Sequence, residues 1–165
     1  MKRILVLLAV MASAGGLAAC GGKDNNKSAD NSSNTTTAAA ANTATSAPAG
    51  QTLAVSKNAD LGEFLVGPNG HTLYLFEKDS GTTSACATGG CAATWPALAA
   101  PSPTAASGVD QAKVSTATGA VPNHVVYNGH LLYFFSGDKA PGDTNGIGIP
   151  SWYPVAPSGD KIDKD

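Results

Sequence analysis

The chain has 165 residues, of which 13% are charged and 42% hydrophobic, with 19 Gly and 10 Pro. That length allows one domain with an internal duplication. A formal net charge of −2 supplies no basic patch and excludes nucleic acid as the expected partner.

Lys2 and Arg3 form a positive start, and Ile4 to Val10 is an apolar run continued by Met11 and small residues to Ala19. The run is too short to span a bilayer but right for a secretory signal. It ends Leu17-Ala18-Ala19-Cys20, which resembles the bacterial lipobox. The resemblance implies a diacylglycerol thioether on Cys20 and cleavage before it. Acyl chains at about 0.8 kcal/mol per buried CH₂ would then hold the protein on a membrane. Loss of Lys2 and Arg3 leaves a mildly acidic mature chain, so the lipid must do the anchoring. Gly21 follows Cys20 in place of an Asp that would retain the protein at an inner membrane. The expected location is the outer membrane of a two-membrane host, and otherwise the outer face of the cytoplasmic membrane.

Residues 21–50 contain no Val, Ile, Leu, Met, Phe, Trp or Tyr. Such a segment cannot bury enough apolar area to offset its ordering entropy. Residues 20–50 therefore read as a lipidated Cys and a disordered Ala/Thr/Asn/Ser tether, with a reach of about 30 Å.

All ten aromatics lie between Phe64 and Tyr153. This places one β-rich domain at 51–157, and the charged tail 158–165 is expected to fray. Asn69-Gly-His-Thr-Leu-Tyr-Leu-Phe-Glu-Lys-Asp79 and Asn128-Gly-His-Leu-Leu-Tyr-Phe-Phe-Ser-Gly-Asp138 agree at seven of eleven positions, at an offset of 59. Val55 and Val114 share that offset, and Trp95 and Trp152 nearly do. Two copies of one supersecondary unit follow, at about 51–98 and 109–157.

Each copy reads as a three-stranded meander. The first offers Thr52–Ser56, Glu63–Val66 and His71–Phe76. The second offers Ala112–Thr116, Asn123–Tyr127 and His130–Phe135. Asn128-Gly129 suits a type I′ hairpin turn, which needs φ > 0 twice, and Gly67-Pro68-Asn69-Gly70 is a longer version. Tyr74 and Phe76 point to one face and Leu73 and Leu75 to the other. Tyr133 and Phe135 oppose Leu132 and Phe134 in the same way. Both faces are apolar, so the strands should be covered on both sides, in a sandwich or barrel-like closure of two intertwined or side-by-side repeats. Trp95 and Trp152, on excursions after each third strand, could fold back as lids.

The pattern Tyr-x-aromatic-x-x-Asp occurs at Tyr74, Phe76, Asp79 and at Tyr133, Phe135, Asp138. With Cys86…Cys91-Ala-Ala-x-Trp95-Pro96 and the Gly-rich Pro141–Gly148 segment before Trp152-Tyr153, it resembles the bacterial predicted lipoproteins with a Yx(FWY)xxD motif, also called secreted repeats of unknown function. The resemblance spans about 51–155. It implies architecture and location, but no reaction.

Asp79 and Asp138, just after their strands, can accept from following backbone N–H groups and fix the turn. The tyrosines are expected in the core with satisfied hydroxyls. Cys86 and Cys91 are the thiols left once Cys20 is acylated, and in an oxidising compartment they read as a structural disulfide. His71, His124 and His130 could meet in space as ligands for a metal or haem, although neither H-x-H nor H-x-x-x-H occurs. Asp143-Thr-Asn145-Gly146 resembles half a calcium loop. No hydrolase, metalloprotease, P-loop or dinucleotide signature is present in the sequence, and no cofactor is expected.

The reading is a non-catalytic, lipid-anchored envelope protein. It would bind a small ligand between the repeats or an envelope partner. The second reading is a purely structural or interaction protein. The third is a metal- or haem-handling or redox protein using the three His. A pocket among Tyr74, Phe76, Tyr133 and Phe135 would favour the ligand, and solid packing of those rings would favour structure.

Overall fold

One antiparallel hairpin, one three-stranded meander and one pair of strands distant in sequence build the domain. A computed structural model describes residues 52–164. The expected signal peptide 1–19, the lipidation expected at Cys20 and the expected tether to 50 lie outside the described residues. Strand β1 (Ala54–Asn58) pairs with β2 (Gly62–Val66), with Val55 opposite Leu65. Strand β3 (Tyr74–Phe76) follows, then a short helix α1 (Gly89–Thr94). In the second copy, a 3-10 turn at Gln111–Lys113 leads into β4 (Val114–Thr118), β5 (Pro122–Tyr127) and β6 (His130–Leu131), a true meander. The last strand, β7 (Trp152–Pro154), pairs with β3. Asn128 (φ 50°) and Gly129 (φ 87°) make the expected turn with two positive φ values.

The fold is mainly β, as expected, but it is not a closed barrel. It comprises small antiparallel sheets of two, two and three strands. The third strand of each copy is also shorter than predicted. It breaks near Leu73 and Leu132 because the chain there leaves its own copy. Tyr74 and Tyr133 donate their backbone N–H groups to each other's carbonyl oxygens, both at 2.9 Å. This pair marks an approximate two-fold relation between the copies.

The two repeats are intertwined, and each lends the other its final segment. Val155, from the second copy, joins strands of the first. Leu65 N–H donates to its carbonyl at 2.8 Å, and its own N–H donates to Leu73 at 3.1 Å. Leu98, from the first copy, does the same in the second. Val125 N–H donates to Leu98 at 2.8 Å, and Leu98 N–H donates to Leu132 at 2.9 Å. The match continues outward, with Glu77 N–H to Ser151 at 2.9 Å and Ser136 N–H to Thr94 at 2.8 Å.

These pairings correct the sequence alignment. Val55 faces Leu65, whereas Thr116 faces Val125, so the counterpart of Val55 is Thr116 rather than Val114. The offset between copies is 61 at the first strand, 60 at the second, 59 at the tyrosines and 57 at the tryptophans. Each loop has its own length, so a single offset could hold only across one ungapped strand.

The two-faced reading of the third strands holds. Leu73, Leu75 and Leu132 pack with Leu53, Leu65, Leu98, Val125, Tyr127 and Val155, with Phe134 against them. Tyr74, Tyr133, Trp95 and Trp152 form the other cluster, with Phe76 and Phe135. The tail does not fray at Ser158. Ala156 N–H donates to Asp160, Ile162 N–H donates to Pro154, and Lys161 bonds Glu77 at 2.7 Å. A turn at Gly159 (φ 96°) folds it back, and Ile162 packs against the third core cluster of Ala54, Leu61, Phe64, Val66 and Ala106.

Candidate functional site

The two copies of the motif complete each other. Tyr74 Oη donates to Oδ2 of Asp138 at 2.9 Å, and Tyr133 Oη donates to Oδ2 of Asp79 at 2.8 Å. Each aspartate uses its other oxygen to hold the loop that follows it. Asp79 Oδ1 accepts from Ala85 N–H, and Asp138 Oδ1 accepts from Asn145 N–H, both at 2.8 Å. The loop-fixing role is the one expected. The phenol across the copies was not legible in the sequence.

The surroundings of the two pairs differ. Asp138 is buried, whereas Asp79 is half-buried. Burial pushes the Asp138 carboxyl above the usual carboxylate range, and its bonds from Tyr74 and Asn145 only partly oppose this. Burial also raises both phenols far above their ordinary range, and the neighbouring carboxylates push the same way. The tyrosines are therefore fixed as neutral donors. Tyr133 Oη also hydrogen-bonds Ser84 Oγ at 2.7 Å, and Tyr74 Oη accepts from Gly146 N–H at 3.2 Å.

Between the pairs stands a column of rings. Trp95 and Trp152 stack with centroids 3.8 Å apart and planes 2° from parallel. Phe76 stacks on the far side of Trp152 at 4.1 Å, and Phe135 lies against Trp95 at 4.5 Å. Tyr74 meets Trp95 edge-on at 5.3 Å, and Tyr133 meets Trp152 edge-on at 5.1 Å. The tryptophans are thus a shared core rather than lids. The tyrosines are fully buried and the tryptophans 4% exposed. The space expected for a ligand between Tyr74, Phe76, Tyr133 and Phe135 is filled by the two indoles, which is the arrangement that favours a structural role.

Cys86 and Cys91 form the expected disulfide, with Cα atoms 5.2 Å apart. It clamps α1, whose last turn delivers Trp95 to the column through Trp95 N–H to Cys91 O at 2.7 Å. The three His do not form one metal-binding cluster. Among the described residues, no group of three or more His, Cys, Asp or Glu is placed to hold a metal ion. His124 is buried, its ring edge-on to Tyr133 at 4.7 Å, with Nε2 2.9 Å from Leu132 O. That bond requires the Nε2–H form, and burial lowers its pKa below the ordinary value. His71 is half-buried at the end of its turn, and His130 is exposed. Asp143, the start of the calcium-like segment, accepts at Oδ2 from Lys139 and Ala140 N–H at 2.8 and 2.9 Å. These bonds close its own turn and hold the carboxyl below the usual range.

Outside the column lies an open cleft of about 610 Å³. Phe76, Glu77, Asp79 and Gly81 line one side, Gly129, His130 and Leu131 another, and Asp160 and Lys161 the rim. Lys161 bridges Glu77 at 2.7 Å and lies 4.2 Å over the Tyr153 ring. The cleft is not legible in the sequence, because the charges of residues 158–165 mark them as a fraying tail and not as part of a lining.

No curated protein and no solved structure matches the chain. Residues 55–99 match a family model described as a secreted repeat of unknown function. The matched stretch holds Tyr74, Phe76, Asp79, the disulfide and Trp95, and the second copy places the equivalent groups against them. Residues 55–99 of this chain are thus similar to a repeat of that secreted family, and they fold around a second copy within the same chain.

Proposed function

We propose that this is a non-catalytic interaction protein of the cell envelope, anchored through lipid on Cys20 and working through its outer cleft rather than through a ligand between the repeats. The observation that carries this reading is the reciprocal pairing of Tyr74 with Asp138 and Tyr133 with Asp79. The motif side chains are spent on each other, so they build the fold and leave recognition to the surface. The cleft beside Phe76 and His130 combines a half-buried ring with exposed groups of both signs, which suits a polar envelope component.

The test is a pelleting assay with isolated envelopes from cells lacking the protein. Saturable binding of an unlipidated form that begins at Gly21 is expected. It should be lost in His130→Glu and Lys161→Glu without loss of secondary structure. Equal binding by both variants would overturn the cleft reading. For the anchor, Cys20→Ser should abolish acylation and leave the precursor uncleaved. Processing that continues unchanged would refute it.

A further inference from the structure

We propose that the ring column is a one-electron relay, carrying an oxidising equivalent from the surface to the Tyr74–Asp138 pair. The indoles of Trp95 and Trp152 overlap nearly face to face at 3.8 Å, so an electron vacancy on either is shared by both. Tyr74 touches Trp95 edge-on at 5.3 Å, and its hydroxyl already points at a carboxylate oxygen 2.9 Å away. A buried phenol cannot release its proton to water on losing an electron. Here an acceptor stands within hydrogen-bond reach, the geometry that proton transfer requires.

Access and competition point the same way. Trp152 borders a small surface hollow with Ile147, Ile149 and Pro150. The two Met of the chain are at positions 1 and 11, and the domain's two Cys are already joined. The domain therefore offers an oxidant no thioether or free thiol, the usual first targets, and the aromatic rings are left as the reducing groups.

In the step, an oxidant of the radical class, such as a peroxyl radical, takes one electron from the Trp152–Trp95 pair and becomes its anion. An electron from Tyr74 refills the pair. The Tyr74 O–H bond breaks, and its proton forms a bond to Asp138 Oδ2. The products are a neutral phenoxyl radical and a neutral carboxyl, so the protein loses one electron and keeps the proton. The Tyr133–Asp79 pair is the lesser terminus. Its carboxylate is half-buried rather than buried, and Tyr133 Oη divides its hydrogen bonding between Asp79 and Ser84.

The test uses the mature lipidated protein in detergent. A photogenerated ruthenium(III) polypyridyl complex serves as oxidant, with transient absorbance and freeze-quench paramagnetic resonance as readouts. An indole-radical signal that decays into a phenoxyl signal is expected, more slowly in heavy water. Tyr74→Phe should remove most of the phenoxyl signal. Asp138→Asn should prolong the indole radical, and Tyr153→Phe, which removes a half-exposed tyrosine, should change neither. A phenoxyl signal undiminished by Tyr74→Phe, or one that vanishes with Tyr153→Phe, would overturn the proposal. Where Tyr74→Phe fails to fold, the heavy-water effect on the unaltered protein decides, and indole decay indifferent to deuterium would overturn it.

Discussion

Tyr74 of the first repeat donates a phenolic hydrogen bond to Asp138 of the second at 2.9 Å, and Tyr133 donates one to Asp79 at 2.8 Å. Neither repeat can satisfy its motif alone. The two bonds are alike in geometry but not in burial, and this separates their expected energies. Tyr74→Phe leaves the buried Asp138 short of a donor and should cost about 1.5–3 kcal/mol. Tyr133→Phe should cost less, because half-buried Asp79 can turn to water. Either Tyr→Ala should cost about 3–5 kcal/mol, since both rings are fully buried. Urea midpoints of the four variants check the ranking, and equal costs for the two Phe variants would refute it.

Gly146 carries the next prediction. A Cβ there would stand 2.7 Å from two ring carbons of Tyr74 and 3.0 Å from Trp95. Those rings are held from every side, so Gly146→Ala should cost about 1–3 kcal/mol by overpacking. Gly90→Ala is the control. It lies in α1 with open space around its Cβ position, and should be neutral or stabilising. Thermal melts of both variants decide.

His124 sets an acid limit. Burial keeps its ring neutral in the folded state, with a pKa below the ordinary 6.5. The unfolded chain binds the proton first as pH falls, so this contribution is complete above pH 6.5 and is lost below it. Asp138 acts with the opposite sign. Its raised pKa favours folding below 3.8, and that support fades as pH rises through the folded value. Within the His124 window, urea midpoints should fall from pH 7 toward pH 5, and the fall should flatten in His124→Gln. A slope unchanged by that substitution would sink the assignment.

The disulfide closes a small loop, so its removal should cost only about 2 kcal/mol. Cys86→Ser with Cys91→Ser should fold, melt lower and show Trp95 more accessible to a fluorescence quencher. Thiol titration of the unaltered mature domain should find none free.

Exchange of the closing segments makes a prediction about the halves. Residues 51–104 lack the Val155 segment that bonds both Leu65 and Leu73, and residues 105–165 lack the Pro96–Ala99 segment. Each half alone should be largely unfolded by circular dichroism at low concentration, and a mixture should regain the native spectrum with one-to-one stoichiometry. A folded monomeric half would show that the exchange is dispensable.

The repeat is legible as identity between two ungapped stretches, and the two-faced strands, the type I′ turn at Asn128-Gly129 and the disulfide are legible because each rests on neighbours within a few residues. What escaped depends on distance along the chain. Nothing local to Trp152 says that it stacks on Trp95, and nothing in either motif says that its tyrosine and aspartate choose partners in the other copy. Val55 was matched to Val114 because identity was read at a fixed offset, whereas pairing is set by loop length. The tail looked frayed because its charges were visible and the docking of Ile162 was not.

The drifting offset has a consequence for engineering. The spacing changes by one or two residues at each connection, yet Tyr74 and Tyr133 still meet N–H to carbonyl. Variation in length is absorbed at the rim and never reaches the axis. The turn between β1 and β2 and the turn between β4 and β5 are thus ports on one frame, one in each copy. Sequence grafted into one port should leave the opposite copy in register, which makes this domain a carrier for two unlike loops displayed from a single rigid centre.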